Sequence, residues 1–424
     1  MGNLDYTQVL NKIENTRRFG NEPGVVVTAQ VIKVLREKGK QKRIIPYIHV
    51  AGTNGKGSVC AFFSSILKKE HMRVGTFVSP HLVDFEERIT VDGRMIPKAD
   101  VTRLGNYLLD IDFGIGLTMF DYCLAMALLY FEEQQCDYMV IETGLGGRLD
   151  STNAIGTPQC AVITKIGYDH MAILGSDIAD IAAEKAGIIK ENGTVVVEQQ
   201  DKRAMQVIEQ EVKKKHARII TVEQSDIARC SGYALRLCGT FQWENAAAAE
   251  LAARYVLGKR YSGPEYEMQY DKTEPKSEKT DLNDRIKSAL EEAVWPGRME
   301  IVSKEPFLLV DGAHNSNGVD ALKESLMQMY PGEKFCFFMG VMADKDYDVM
   351  IREILPLAEE FYTVTPDSDR ALQASHLADF IRKEGVCATE LSGVDEIRKH
   401  LKRDTKNVAF GSLYFIGELK QHRI

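Results

Sequence analysis

Gly52-Thr53-Asn54-Gly55-Lys56-Gly57-Ser58 decides the reading of this chain. Ile44, Ile45, Tyr47, Ile48 and Val50 precede it as one buried strand, and Val59, Ala61, Phe62, Phe63, Ile66 and Leu67 follow with helical spacing. A strand, a glycine-rich turn and a helix bring successive backbone N–H groups onto a phosphate at the helix N-terminus. Gly52, Gly55 and Gly57 permit positive φ and close approach, Lys56 offers a mobile cation, and Ser58 stands where a hydroxyl reaches magnesium. Thr53 and Asn54 complete the loop. The spacing departs from the strict P-loop, because Gly57 separates Lys56 from Ser58. The bland alternative is a glycine-rich turn with one surface lysine.

Composition narrows the class. At 424 residues two or three domains are expected, and 44% apolar with 27% charged residues is a globular balance. A net charge of −8 argues against a general nucleic-acid binder. No stretch resembles a signal peptide, and the most apolar segment, Leu117 to Phe131, is too short to span a bilayer and carries Asp121. The eight cysteines form no metal spacing and read as reduced, mostly buried thiols of a cytoplasmic protein.

Further along, strands end on chemically distinctive loops, where ligands sit in open α/β sheets. Helices are expected from Tyr6 to Arg17 and Thr28 to Lys38, around a Phe19-Gly20 loop that either turns the chain or closes over a ligand. Arg73 to Val78 ends at Ser79-Pro80-His81-Leu82, where Ser79 faces the phosphates or caps the next segment. Ile89 to Ile96 is a hairpin signalled by Asp92-Gly93. Tyr138 to Ile141 ends on Glu142, a carboxylate that magnesium beside a phosphate would satisfy; the alternative is a helix cap or an ion pair with Arg148. Cys160 to Thr164 leads to His170, a ligand or a structural histidine. Lys185, inside an apolar helix, snorkels to solvent or faces the cleft as a cation that chemistry would turn into an anion. Gly258 to Arg285 is polar and reads as a surface insertion, with a short helix from Ile286. Trp295-Pro296-Gly297-Arg298 marks a boundary, which gives domains 1–294 and 295–424. Four strands of a smaller parallel sheet follow, one ending on Asp311-Gly312-Ala313-His314-Asn315.

Together these runs, with Glu87-Arg88-Ile89, Glu142 to Asn153, Ile166 to His170, Glu184 to Lys190 and Gly411 to Tyr414, resemble the folylpolyglutamate synthase and dihydrofolate synthase family of the Mur ligase superfamily. The resemblance implies an α/β fold, with a P-loop domain on a parallel-rich sheet and a smaller Rossmann-like domain. It implies an ATP-dependent ligase, with L-glutamate and folate or dihydropteroate as partners and an acyl phosphate intermediate. Carried over, Thr53 to Ser58, Asn245, Arg298, Asp311 and His314 bind ATP, and Ser79, Glu142 and His170 bind magnesium, two ions being expected. Lys185 is carbamylated, and Lys56, Lys185 and His170 form the catalytic set. Phe19, Gly20, Thr118, Phe120, Asp121, Leu149, Asp150 and Ser151 match the pteridine side. The site is expected between the two domains of a monomer that binds neither nucleic acid nor membrane. Asp121 departs from the family's usual glutamate, Phe241 from a frequent histidine, and Ser316 from a proline. A Mur-type ligase of cell-wall precursors and a non-catalytic nucleotide-binding module are the alternatives. The folate-like runs speak against the first and the complete metal set against the second.

Overall fold

The computed structural model describes residues 4–17, 20–262 and 276–422. It places an eight-stranded sheet at the centre of the first unit, with strands β1 (Tyr47–Ala51), β2 (Val74–Phe77), β3 (Ile89–Val91), β4 (Arg94–Met95), β5 (Tyr138–Glu142), β6 (Cys160–Ile163), β7 (Thr194–Val197) and β8 (Arg218–Thr221). Their order is β4-β3-β2-β5-β1-β6-β7-β8. All neighbours from β2 to β8 in that order run parallel, and the β3–β4 hairpin adds an antiparallel edge. β1 and β5 are buried along their full length, the pattern of strands covered on both faces. Ile44 is 89% exposed, so the strand starts at Tyr47, after Pro46 and a charged run, rather than at Ile44.

Seven helices carry the residues of interest: α1 (Tyr6–Glu14), α2 (Gly24–Glu37), α3 (Lys56–Lys69), α4 (Lys98–Leu109), α5 (Met119–Glu133), α6 (Met171–Leu174) and α7 (Ile178–Ala186). α1, α2, α4 and α5 share one core with one face of the sheet, built around Phe77, Leu124, Phe131 and Ile141. α7 closes a second core with β6 and β7. α2 begins at Gly24 rather than Thr28, because Pro23 as N-cap lets the helix start directly.

The second unit holds a six-stranded sheet: β9 (Glu300–Lys304), β10 (Phe307–Val310), β11 (Phe335–Met339), β12 (Ala358–Thr363), β13 (Ala388–Glu390) and β14 (Lys406–Phe410). The order is β13-β12-β11-β14-β10-β9, with only β9 antiparallel. The edge strands β9 and β13 add to the four expected; their half-exposed sequences carry little apolar signal. Leu235–Trp243 groups with this unit instead of the first. Thr240 N donates to Ser325 Oγ at 3.1 Å, and Phe241 packs against the second unit's core, contacts that only folding reveals.

The expected insertion is helical at both ends. One helix runs Phe241–Ser262 and another Lys276–Glu292; residues 263–275 lie outside the described residues. Six of the eight cysteines are buried, Cys238 is half-buried, Cys387 is exposed, and all are free thiols.

Candidate active site

The phosphate loop is built by β1 handing the chain to α3. Gly55 is the α3 N-cap at φ +91°, and a Cβ on it would stand 2.3 Å from Asn245 Oδ1. A Cβ on Gly52 would fall 1.8 Å from Thr164 Oγ1. The loop is braced from β6 and the residues after it. Thr53 N and Asn54 N donate to Lys165 O at 2.9 and 3.2 Å, and Thr164 Oγ1 donates to Asn54 O at 2.7 Å. Thr53 Oγ1 lies 3.0 Å from Gly167 O and accepts from Gly167 N at 3.0 Å. Thr164 and Gly167 stand in the strand and motif runs of the sequence, but their role with Lys165 as braces of the loop has no local signal beyond β6 ending beside β1, with Ala51 in register with Ile163.

Glu142 closes β5 in register with Val50 of β1, so its carboxylate stands next to the loop. Its side chain is buried, accepts from Ser79 N at 3.2 Å and lies 3.9 Å from Lys56 Nζ. Arg148, the other partner considered for it, instead pairs with Glu184 at 2.5 Å. Lys56 Nζ also donates to Thr53 O at 3.2 Å. The segment after Ser79 is fixed by Glu87, whose carboxylate accepts from the N–H groups of Leu82, Val83 and Asp84 at 2.6, 2.9 and 2.9 Å.

Lys185 is 4% exposed and donates to Gly52 O at 2.8 Å. It does not reach solvent. Burial, and after it the charge of Lys56, lower its pKa to about 7, with Asp169 and Asp150 opposing the shift. His170 sits at the start of α6 with its side chain 38% exposed and its backbone N–H donating to Asp169 Oδ1 at 2.8 Å.

A second group lies on the α2 and α5 side. Thr118 caps α5, and its N–H and Oγ1 donate to Asp121 Oδ2 at 2.8 and 2.6 Å. Ser151 Oγ donates to Asp121 Oδ1 at 2.6 Å. Gly24 approaches so close to Ser151 that a Cβ would fall 2.3 Å from its Oγ, and one on Gly20 would lie 3.5 Å from Thr118 Cγ2. Asp150 accepts from Leu145 N and Thr152 N at 2.8 and 3.0 Å, and burial raises its pKa. Phe120 packs on Phe77 with ring centroids 5.4 Å apart, beside Gly144, and Leu149 is 41% exposed. Thus Gly20, Thr118, Asp121 and Ser151 form one cluster, and Phe120 reaches the loop that follows Glu142. Phe19 lies outside the described residues.

In the second unit Asp311 ends β10, buried, accepting from Met299 N and Ala313 N at 2.8 and 2.7 Å. Burial raises its pKa against the pull of Arg298, whose Nη1 lies where a Cβ on Gly312 would stand. His314 Nδ1 is 2.7 Å from Gly312 O.

A glycine loop between a parallel strand and a helix, with a lysine and a strand-end carboxylate beside it, is the arrangement of a nucleotide-dependent α/β enzyme. Residues 50–253 match the Mur ligase middle domain, and residues 297–411 match the Mur ligase, glutamate ligase domain. A dihydrofolate synthase/folylpolyglutamate synthase of Bacillus subtilis is 32% identical over 98% of both chains. A folylpolyglutamate synthase of Lacticaseibacillus casei is 30% identical over 87% of both. Among solved structures, Mycobacterium tuberculosis folylpolyglutamate synthase complexed with ADP and AMPPCP matches at TM-score 0.82 and 25% identity over 99% of each chain. Escherichia coli FolC in complex with DHPP and ADP matches at TM-score 0.80 and 26% identity over 99% of this chain and 97% of that one. The chain belongs to the dihydrofolate synthase/folylpolyglutamate synthase family.

Proposed function

We propose that this protein joins the amine of L-glutamate to the γ-carboxylate of reduced folates and their polyglutamates, and to the carboxylate of dihydropteroate, using ATP. The observation that carries the reading is the convergence of Lys56, Glu142, Ser79 and Lys185 on one glycine loop. The carboxylate oxygen of the acceptor takes the γ-phosphoryl group and ADP leaves. The glutamate amine then attacks the acyl carbon, phosphate leaves, the nitrogen loses a proton and an amide remains. Such chemistry asks the protein mainly for positioning and charge neutralisation.

This chain's residues fit those tasks. The α3 N-terminus and Lys56 hold the phosphates. Asn245 supports Gly55, and Arg298, Asp311 and His314 act on the nucleotide. Magnesium, when bound, neutralises phosphate charge. It suits the hard oxygens of Glu142 and Ser79, with His170 contributing. Among the described residues no three His, Cys, Asp or Glu side chains make a metal cage by themselves, which accords with an ion that takes most of its shell from phosphate and water.

Lys185 is carbamylated in this reading. A pKa near 7 leaves much of the amine neutral at physiological pH, and a neutral amine adds to carbon dioxide, forming an N–C bond and releasing one proton. The product is an anion that suits a place next to Lys56 better than the ammonium does. The pteridine side of the substrate lies by Gly20, Thr118, Phe120, Leu149 and Asp150, with Asp121 and Ser151 fixing the wall.

The test is phosphate release with dihydropteroate, tetrahydrofolate and a cell-wall nucleotide, each with its amino acid. Turnover with a folate or pteroate acceptor and L-glutamate is expected. Turnover with the cell-wall nucleotide alone would overturn the reading.

A further inference from the structure

Arg88 is the one arginine that folding buries among the described residues, with 8% of its surface exposed. A guanidinium taken out of water calls for an acid beside it. Elsewhere the rule is kept, since Arg285 pairs with the buried Glu70 and Arg254 with the buried Glu250, each at 2.6 Å. Arg88 has no acid within ion-pair reach among the described residues; its side chain makes a single hydrogen bond, from Nε to His81 Nδ1 at 2.8 Å. The accepting nitrogen carries no proton, so the His81 ring is neutral and steadies the guanidinium without balancing its charge. The acids next to Arg88 in the chain serve other groups: Glu87 accepts from three backbone N–H groups, and Glu86 acts on Tyr6 of α1, whose pKa burial and then Glu86 raise. Both Nη groups of Arg88 are left over, and they keep a narrow opening to the surface.

The sheet sets the place of this cation. β3 runs antiparallel to β2, so it begins where the parallel strands end, and Val78 N donates to Arg88 O at 3.0 Å just ahead of it. Along that edge stand, strand by strand, Arg88 before β3, Ser79 after β2, Glu142 at the end of β5 and Lys56 beyond β1. Phe77, the last residue of β2, carries Phe120 of the proposed pteridine side. The charge of Arg88 is felt at Cys123 in the same helix as Phe120, where it opposes the rise that burial gives the thiol. Arg88 thus flanks the way from Phe120 to Lys56, one strand beyond Ser79.

We propose that Arg88, steadied by His81, receives the α-carboxylate of the acceptor's terminal glutamate and is a specificity-determining residue for folates over dihydropteroate, a role that rests on the ligase reading. A folate ends in two carboxylates. The γ-carboxylate takes the phosphoryl group, while the α-carboxylate does not react and still has to be met by positive charge. Three carbons separate the two, about one strand spacing of roughly 4.8 Å, which matches a cation standing one strand beyond Ser79. A planar fork with both Nη groups free is shaped for a carboxylate. Dihydropteroate carries only the reacting carboxylate and offers Arg88 no partner. The incoming L-glutamate brings the same chemistry from the other side of the reaction, and acceptors with and without an α-carboxylate separate the two sources.

The experiment measures KM for tetrahydrofolate, for dihydropteroate and for tetrahydropteroyl-γ-aminobutyrate, which keeps the reacting carboxylate and lacks the α one, in the wild type, Arg88→Gln and Arg88→Lys. With tetrahydrofolate, KM is expected to rise about ten-fold in Arg88→Gln, the loss of one hydrogen bond to a charged group. Arg88→Lys should lose less, because it keeps the charge and gives up only the fork. KM for the other two acceptors, for L-glutamate and for ATP stays unchanged. The denaturation midpoint of Arg88→Gln holds or rises, since an unpaired buried charge has been removed. An equal rise for all three acceptors with a lower midpoint makes Arg88 structural and overturns the subsite. A higher KM for L-glutamate with tetrahydrofolate unaffected overturns it in favour of the incoming amino acid, and no change in any constant overturns it as well. Calorimetry reads the subsite without turnover: tetrahydrofolate binding more tightly than the aminobutyrate analogue in the wild type, and equally in Arg88→Gln, supports it. A wild type that binds them in this way and ligates neither counts against the ligase reading alone.

Discussion

Lys185 Nζ donates to the carbonyl of Gly52 at 2.8 Å, tying the last turn of α7 to the first glycine of the phosphate loop. The bond places a buried amine beside Lys56, and two cations there oppose each other. Burial and that opposition together lower the Lys185 pKa to about 7.

Lys185 has a folded-state pKa of about 7 against 10.5 in the unfolded chain. Between those values the unfolded state holds a proton that the native state lacks, so this group makes stability rise with pH across the window. Below about pH 7 both states are protonated and the full cost of the buried charge is present. Urea midpoints measured from pH 6 to 10 are expected to climb more steeply in the wild type than in Lys185→Met. Parallel curves would show that the amine is not held at a lowered pKa. With ¹³C-labelled bicarbonate, a carbamate resonance is expected in the wild type and not in Lys185→Met.

Lys56→Ala removes the cation that stands 3.9 Å from Glu142 Oε1. Glutamate-dependent phosphate release should fall by about 10²–10³-fold, the usual loss for one charge-stabilising donor. Thermal stability should change little, because the side chain lies partly open to solvent. Near-normal ligation by this variant would sink the assignment of the loop.

Gly55→Ala tests the loop's shape apart from its charge. The backbone stands at φ +91° and the new methyl would meet Asn245 Oδ1 at 2.3 Å. Strain and displacement together are expected to destabilise the protein by about 1–3 kcal/mol and to weaken ATP binding in calorimetry. The double variant Gly55→Ala/Asn245→Ala should recover stability relative to Gly55→Ala if that contact is the cause.

Asp121→Asn addresses the wall of the proposed pteridine side. One oxygen accepts from Thr118 N and Oγ1 and the other from Ser151 Oγ, and an amide leaves one of these sets facing N–H. A loss of about 1–3 kcal/mol is expected from the unmatched buried donors, read as a lower denaturation midpoint. KM for dihydropteroate should rise with it, while the KM for ATP stays. A change confined to the ATP parameter would put Asp121 in a different role.

Much of the molecule was legible as sequence. The strand, glycine turn and helix around Lys56, the Asp92-Gly93 hairpin and the strand ends at Glu142 and Asp311 all lie where their local patterns put them. β9 and β13 were missed because short edge strands carry no apolar alternation strong enough to read. The helical ends of the 258–285 segment were missed because their composition is polar throughout.

Backbone sterics are local, and so glycine at a positive-φ cap, a capping aspartate or threonine, and the period of apolar residues determined by themselves where turns and helices fall. The fate of each charge was decided only by folding. Glu142 had Arg148 near it in sequence, yet its neighbour is Lys56, and Arg148 took Glu184. Lys185 had the choice of solvent until α7 packed over the loop, and Leu235–Trp243 had the choice of either unit until Thr240 found Ser325. Desolvation and pairing depend on groups 36 to 133 residues away in these cases, and no short window of sequence contains both partners.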